Sequence, residues 1–216
     1  MITLTAYKAV PEFAQGLVRD MRVRWALEEV GLPYAVNLIG LNEKESAAYR
    51  ALQPFAQVPA VEIDGFELFE SGAIVLHIAD RSEALSPSDP QGRARMMAWV
   101  LAALNSVEPP IQQLAELDLF PQNKGKADGY RPLVVQAVDK RLGQLEDWLG
   151  ERDYLEGRFT AGDLMMCAVL RILRHTDILS EHPALVAYQK RCEARPAFKK
   201  ALAAHMEPFE KSAAST

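Results

Sequence analysis

The first part of the chain alternates segments with strand and helix periodicity. Apolar side chains occupy every second position in residues 2–7, which predicts a strand. Helical spacing follows over residues 22–31, and Gly31 stands where a left-handed cap ends a helix. Residues 34–38 predict a second strand, and residues 43–53 a weak helix. A strand–helix–strand order favours parallel pairing with a right-handed crossover.

The clearest local signal is a β-hairpin in the sequence QVPAVEIDGFELFES. Apolar and polar residues alternate on both sides of Asp64-Gly65, and an Asp-Gly pair favours a type I′ turn because both of its residues adopt positive φ. Ser71 follows the hairpin, and its hydroxyl is placed to cap a helix that runs to about Asp80. The hairpin and this helix complete an α/β pattern.

The chain after Pro90 has only helical patterns. Pro109-Pro110 is predicted to end or kink the first helix, because proline cannot donate a backbone hydrogen bond. Thr160 and Asp163 match a capping box, and the helix after them is apolar on nearly every side, which predicts a place in the middle of a bundle. The amphipathic segments lie at residues 91–107, 131–150, 161–178, 183–195 and 196–208.

Composition and charge exclude several classes of protein. The chain has 216 residues, 49% hydrophobic and 25% charged, as in ordinary globular proteins of one large or two small domains. A net charge of -5 without a basic run argues against a nucleic-acid partner. No uninterrupted apolar run of membrane-spanning length occurs, and the first residues do not form a leader, so neither a membrane partner nor export is expected. These features predict a cytoplasmic protein.

The cysteines and histidines do not form a site by spacing. Cys167 and Cys192 are too far apart for a redox pair or a metal knuckle, so they are interpreted as packing residues in a reducing compartment. The four histidines lack the spacing of metal ligands, and no metal site is expected.

A linker divides the chain into two parts. Residues 81–90 are rich in proline and serine. Residues 1–90 carry 7 basic and 13 acidic side chains, whereas residues 91–216 carry 17 and 16. The expected division is therefore one domain over residues 1–80, the linker, and an all-helical domain over residues 91–216.

Four stretches together resemble the soluble glutathione S-transferases. They are RVRWALEEVGLPY (22–34), PFAQVPAVEIDGFELFESGAIVLHIAD (54–80), YLEGRFTAGDL (154–164) and PALVAYQKRCEARPAF (183–198). The sequence resembles bacterial members of this family, and the resemblance does not assign it to a class. It implies a thioredoxin-like N-terminal domain that binds glutathione, followed by an all-α helical bundle that contributes the pocket for the acceptor substrate.

The resemblance also implies an activity and partners. A transferase of this kind binds glutathione as a thiolate and transfers it to an electrophilic small molecule, often in detoxification. Glutathione is the co-substrate, and no separate cofactor is needed. The resemblance implies a homodimer as well. Phe13, Trp99 and residues 105–120 are candidates for the acceptor pocket, and the acceptor itself is not encoded by a recognisable pattern.

The glutathione site implied by the resemblance has two parts. A cis Val58-Pro59 bond would turn the Val58 backbone toward the cysteinyl part of glutathione, with Gln57 near the glycyl end. Glu70 would accept from the γ-glutamyl ammonium, and Ser71 would donate to its carboxylate at a helix N-terminus. The alternatives are a proline that begins an edge strand and an ordinary helix cap beside a solvated glutamate.

The group that stabilises the sulfur is not in the usual form. Transferases of this type use Tyr, Ser or Cys near the first helix, but residues 8–29 contain no Ser, Thr, Cys or Tyr. Tyr7 is one candidate, and a half-buried aromatic at a strand end is the alternative interpretation. Gln15 is the second candidate, together with backbone N–H groups at residues 16–18. A glutathione-dependent disulfide reductase and a non-catalytic binding module therefore remain alternatives to a transferase.

Overall fold

The structure is a computed structural model that describes residues 1–123 and 129–213. The chain divides into two compact units. One comprises Met1–Leu85 together with the chain from Pro196 onward, and the other comprises Ser86–Arg195. Within the described ranges, no helix is long and apolar enough to cross a lipid bilayer.

The first unit contains a mixed sheet with strand order β2-β1-β3-β4. Its strands are β1 (Ile2–Tyr7), β2 (Tyr34–Ile39), β3 (Ala60–Ile63) and β4 (Phe66–Phe69). β1 runs parallel to β2 and antiparallel to β3, which itself pairs antiparallel with β4. Asp64 and Gly65 have φ of 52° and 88°, so the predicted I′-type hairpin and the parallel pairing are both confirmed.

Three helices of the first unit follow the predicted order. They are α1 (Asp20–Val30), α2 (Ala47–Leu52) and α3 (Ser71–Ala79). α1 ends at Gly31, whose φ of 70° is left-handed as predicted. α2 is shorter than expected because a single 3₁₀ turn over Glu43–Glu45 precedes it, and Ser46 caps it by accepting from the Tyr49 N–H at 3.2 Å.

The second unit is all-helical. Its helices are α4 (Pro90–Ala102), α5 (Glu108–Leu119), α6 (Arg131–Leu149), α7 (Ala161–Leu170) and α8 (Pro183–Glu193). Thr160 and Asp163 form the predicted capping box, and α7 is buried along nearly its whole length. Its predicted central place is confirmed by its contacts with α4, α5 and α8. The helical pattern predicted beyond α7 continues as a 3₁₀ segment, Arg171–His175.

The Pro109-Pro110 pair has a different effect from the predicted one. α4 is followed by a wide π-type turn over Ala103–Val107, and α5 then begins at Glu108 with both prolines in its first turn. Proline is tolerated there because the first N–H groups of a helix have no intrahelical acceptor. The prolines therefore start a helix that the sequence pattern did not predict.

The last helix, α9 (Pro196–Ala213), continues beyond Pro208, where it was expected to stop. A proline inside a helix leaves the carbonyl four residues earlier without its usual donor. That carbonyl belongs to Ala204, and the Arg24 guanidinium of α1 donates to its oxygen at 3.3 Å. The side chain from α1 thus replaces the missing backbone donor.

α9 belongs to the first unit, whereas the sequence predicted that it belongs to the all-helical domain over residues 91–216. It packs on α1, where the rings of Trp25 and Phe198 meet nearly edge-on with centroids 4.8 Å apart. The buried carboxylate of Asp20 faces His205 Nδ1 across the same contact, at 3.1 Å. This difference arises because the packing partners lie more than 170 residues apart and have no local signature.

Candidate functional site

The N-terminus of α3 has the geometry of an anion-binding site. Glu70 is the residue before the helix, has φ of 67°, and its side chain is exposed. The first intrahelical hydrogen bond runs from the Ile74 N–H to the Glu70 carbonyl at 3.0 Å. The N–H groups of the preceding helical residues therefore have no intrahelical acceptor, and the helix dipole adds partial positive charge.

Ser71 occupies the first helical position and does not cap α3, which corrects the sequence prediction. The cap position belongs to Glu70, because its positive φ already turns the chain into the helix. The Ser71 side chain is buried, and its Oγ accepts a hydrogen bond from Arg22 Nη1 at 3.3 Å. Sequence analysis did not identify Arg22, which is itself buried and lies 49 positions away.

The Val58-Pro59 peptide bond is cis, as predicted. Val58 is 7% exposed, and the register of β3 with β1 begins immediately afterwards, at Ala60 opposite Thr5. The proline therefore lies just outside the paired part of the strand. The tripeptide-binding interpretation of this bond stays a prediction.

Two residues that sequence analysis missed hold the segment before this bond. The Tyr49 hydroxyl donates to the Gln57 carbonyl oxygen at 2.7 Å. The buried Gln53 accepts through Oε1 from the N–H groups of Phe55 and Gln57, at 2.8 and 3.1 Å. The Gln57 side chain is exposed, as predicted. No local pattern signals these contacts, because both depend on the turn that the chain makes after α2.

Tyr7 lies at the end of β1 and is half-buried. It packs against a buried cluster formed by Ile39, Tyr49, Val58 and Ala60. Burial raises the pKa of the Tyr7 phenol above its ordinary value, although the charge of Lys44 opposes that shift. The phenol therefore remains neutral at physiological pH, with a proton to donate. Its place beside Val58 fits a thiolate donor, and its packing fits a strand-end aromatic equally well.

Gln15 follows a short 3₁₀ turn, Glu12–Ala14, and its N–H donates to the Glu12 carbonyl at 3.1 Å. The backbone N–H groups of residues 16–18 were proposed as a helix terminus, but α1 begins at Asp20. Within this stretch the Leu17 N–H already donates to Ala14 at 2.9 Å. These backbone groups are therefore weaker candidates than the two side chains.

The two cysteines are buried free thiols, which confirms their interpretation as packing residues. Burial raises the pKa of the Cys167 thiol well above its usual range, and the neighbouring Cys192 contributes to the rise. A buried, protonated thiol is a poor nucleophile. Neither cysteine therefore replaces the missing hydroxyl of the first helix.

Two domain models of one protein family match the chain. The N-terminal domain of glutathione S-transferases matches residues 13–80, and a C-terminal domain of the same proteins matches residues 111–205. The chain is 31% identical over 194 residues to the glutathione S-transferase PARB of Nicotiana tabacum, covering 84% of this chain and 91% of that protein.

Two further similarities extend the comparison. The maleylacetoacetate isomerase of Pseudomonas aeruginosa is 31% identical over 185 residues, covering 76% of this chain and 87% of that protein. A glutathione transferase from Burkholderia graminis, crystallised with two glutathione molecules per subunit, superposes with a TM-score of 0.81 at 25% identity. That alignment covers 93% of this chain and 87% of the other.

Proposed function

Because this chain belongs to the glutathione S-transferase family, we propose that it binds glutathione as a thiolate and transfers it to an electrophilic small molecule. The observation that carries the proposal is the α3 N-terminus, where Glu70 and the buried Ser71 stand side by side at an unpaired helix end. This end provides both signs of charge that a γ-glutamyl group needs.

The γ-glutamyl end of glutathione is assigned to Glu70 and Ser71. Its carboxylate accepts from the first N–H groups of α3 and from the Ser71 hydroxyl, where the helix dipole favours negative charge. Its ammonium donates to the exposed Glu70 carboxylate in a charge-assisted hydrogen bond. The two contacts fix the orientation of the tripeptide, which matters because a correctly held nucleophile reacts faster.

The remaining part of glutathione is assigned to the segment around the cis bond. The Val58 backbone pairs with the cysteinyl residue, as one further antiparallel strand would. Pro59 cannot donate, so the Val58 N–H and carbonyl are the groups that make this pair. The exposed Gln57 amide lies on the glycyl side.

Stabilisation of the glutathione thiolate is assigned to Tyr7, and Gln15 is the second candidate. Lowering the thiol pKa from about 8.5 by roughly 2 units requires about 2.7 kcal/mol. One or two hydrogen bonds to a charged group contribute about 1.5–3 kcal/mol each, so a neutral phenol or an amide is sufficient. No charged side chain is needed for the thiolate to form.

A matched pair of variants tests the assignment. Glu70→Gln removes the charge opposite the ammonium, and we expect the affinity for glutathione to fall about tenfold. Glu67→Gln makes the same change at an exposed position of β4 and serves as the control. Calorimetry gives both affinities. Equal affinities of the two variants would contradict the assigned contact.

Disulfide reduction is the second candidate function, and the glutathione transferase of Burkholderia graminis favours it by holding two glutathione molecules per subunit. Reduction of a disulfide consumes two glutathione molecules: the first thiolate displaces one thiol and forms a mixed disulfide, and the second displaces the other thiol and forms glutathione disulfide. Assays of a disulfide and an aromatic halide side by side distinguish the two reactions. A non-catalytic module would give neither product and would leave the thiol pKa unchanged.

A homodimer in the cytoplasm is part of the proposal. Phe55 is 64% exposed, and its ring meets Phe69 edge-on with centroids 6.2 Å apart, which leaves an aromatic patch on the surface of the first unit. Aromatic residues in such patches are typical anchors of protein interfaces. The two free thiols fit a reducing compartment, and detoxification of electrophiles fits the proposed chemistry.

A further inference from the structure

His182 lies between two carboxylates of α6. It directly precedes α8 and is 7% exposed. Its ring atom Nδ1 is 2.9 Å from Glu146 Oε2, and its Nε2 is 3.1 Å from Asp139 Oδ1. α6 and the start of α8 therefore meet through one imidazole ring with an acidic group at each nitrogen.

The chemistry of these contacts fixes the number of protons on the ring. An ionised carboxylate accepts hydrogen bonds and cannot donate one, so each ring nitrogen has to donate. Neutral imidazole has one N–H group, and imidazolium has two. Both contacts of His182 can therefore be hydrogen bonds at the same time only when its ring is doubly protonated and positively charged.

Glu146 connects this ring to the backbone of α8. Its Oε1 accepts a hydrogen bond from the Ala184 N–H at 3.0 Å. The His182 side chain does not cap α8, and Pro183 is the first residue of the helix, so a carboxylate from α6 acts as the cap. A helix N-terminus favours such a negative charge. The His182 ring holds this capping carboxylate by its other oxygen.

The two carboxylates differ in how firmly they are held. The Glu146 side chain is 26% exposed and has two contacts, whereas the Asp139 side chain is 62% exposed. A ring with one proton keeps it toward Glu146 and presents a lone pair to Asp139, which repels it. Asp177 and Glu181, the charged residues of the segment before the ring, are exposed, so solvent screens them. Loss of the second proton therefore breaks the Asp139 contact first.

We propose that His182 is a pH-sensitive joint of the second unit, which holds the start of α8 on α6 while its ring is doubly protonated and releases Asp139 when the ring becomes neutral. The joint lies outside the residues assigned to glutathione. An ordinary histidine titrates near pH 6.5 and an ordinary carboxyl group near pH 4. Measurements between about pH 5.5 and 8.5 therefore follow the ring and not the carboxylates.

Hydrogen exchange of the Val186 amide reports on the joint, because this N–H donates to the His182 carbonyl at 3.0 Å. After correction for the intrinsic exchange rate, its protection should fall about tenfold between about pH 5.5 and 8.5, since one charge-assisted hydrogen bond is lost. The Leu164 amide donates to the Thr160 carbonyl at 3.1 Å in α7 and should show no such fall. Nitrogen-15 spectra should show the ring losing one N–H over the same interval.

Three variants separate the joint from other effects of pH. Asp139→Asn should remove most of the change in protection, because an amide presents an oxygen to an N–H and an N–H to a lone pair. Asp147→Asn changes an exposed aspartate of the same helix and should keep the full change. His182→Gln has no titrating ring and should give equal protection at both pH values. If it does not fold, Asp139→Asn still decides.

A fall in protection that occurs in the unmodified protein and in Asp147→Asn, and is absent from Asp139→Asn, is the expected result. Constant protection in the unmodified protein would overturn the inference, and so would an equal fall in Asp139→Asn or in His182→Gln. A ring with a single N–H at about pH 5.5 would also overturn it.

Discussion

The Tyr49 hydroxyl donates a hydrogen bond to the backbone carbonyl of Gln57 at 2.7 Å. This contact joins α2 to the residue that precedes the cis Val58-Pro59 bond. Burial raises the pKa of Tyr49, and the neighbouring Tyr7 adds to the rise, so the phenol keeps its proton throughout the physiological range. Tyr49 is therefore a permanent donor that holds the proposed peptide-binding segment.

The first prediction concerns this hydrogen bond. Tyr49→Phe keeps the buried ring and removes the donor, which leaves the segment before Val58 less ordered. Since such a hydrogen bond contributes about 1 kcal/mol, the affinity for glutathione should fall about fivefold. Tyr34→Phe is the control, because that hydroxyl interacts with Arg24 and Glu28 instead. Calorimetric affinities that are equal in both variants would show that Tyr49 has no role in the site.

The second prediction concerns the sulfur. If the neutral Tyr7 phenol donates to the thiolate, Tyr7→Phe should raise the pKa of bound glutathione by about 1–2 units. Absorbance of the thiolate at 240 nm against pH measures this pKa, and Gln15→Ala provides the comparison. Unchanged ionisation and turnover in Tyr7→Phe would dismiss Tyr7, and a raised thiol pKa in Gln15→Ala would then transfer the role to Gln15.

The third prediction concerns the pH dependence of stability. Burial alone would raise the pKa of Asp20, but hydrogen bonds and charge from His205 and Arg24 outweigh burial and lower it below the ordinary value of 3.8. A carboxyl group with a lowered folded-state pKa stabilises the fold above its unfolded-state pKa. That stabilisation is lost as the pH falls through the lower folded-state value. Urea unfolding of the unmodified protein should therefore show declining stability below about pH 4.

Asp20→Asn separates this effect from general acid unfolding. Removing the carboxylate leaves the Arg24 charge buried without its partner, and such losses cost about 3–5 kcal/mol at neutral pH. The stability of the variant should also depend less on pH below about pH 4, because the titrating group is gone. A variant with the same pH profile as the unmodified protein would show that other carboxyl groups govern acid unfolding.

The fourth prediction concerns assembly. Phe55→Ser removes the exposed ring from the aromatic patch and should weaken the proposed dimer by about ten- to a hundredfold, since an aromatic anchor contributes about 1.5–3 kcal/mol. Leu41→Ser changes another apolar residue, 51% exposed, and should leave the assembly unchanged. Sedimentation at micromolar concentration distinguishes the outcomes. An unchanged mass for Phe55→Ser would place the interface elsewhere.

Much of the fold could be predicted because its signals are local. The turn type at Asp64-Gly65 is determined by these two residues alone, and the capping box is determined by the four residues from Thr160 to Asp163. Alternation along β1 likewise needs only the strand itself. Each of these elements was predicted from a window of ten residues or fewer, and each is present in the structure.

Elements that depend on distant partners could not be predicted in this way. α9 passes Pro208 because Arg24, far away in sequence, supplies a donor to Ala204. α5 was missed because Pro109-Pro110 was interpreted as the end of a helix. The two prolines instead lie in the first turn of α5, where proline destabilises a helix little. The meaning of a proline thus depends on which backbone groups surround it.

The candidate site shows the same division. Val58, Pro59, Glu70 and Ser71 were identified through motifs that the resemblance to a family supplied. Arg22, Gln53 and Tyr49 were missed, because their side chains gain meaning only from an oxygen or N–H group that folding brings near. Motif recognition therefore finds the groups that are proposed to contact glutathione more readily than those that support them.

Calorimetric titration of glutathione into the unmodified protein and into the Glu70→Gln and Ser71→Ala variants tests the central claim most directly. The account predicts saturable binding at millimolar concentration or below, weakened by both substitutions while the fold is retained. An absence of heat and of saturation at millimolar glutathione, from a folded protein, would contradict it.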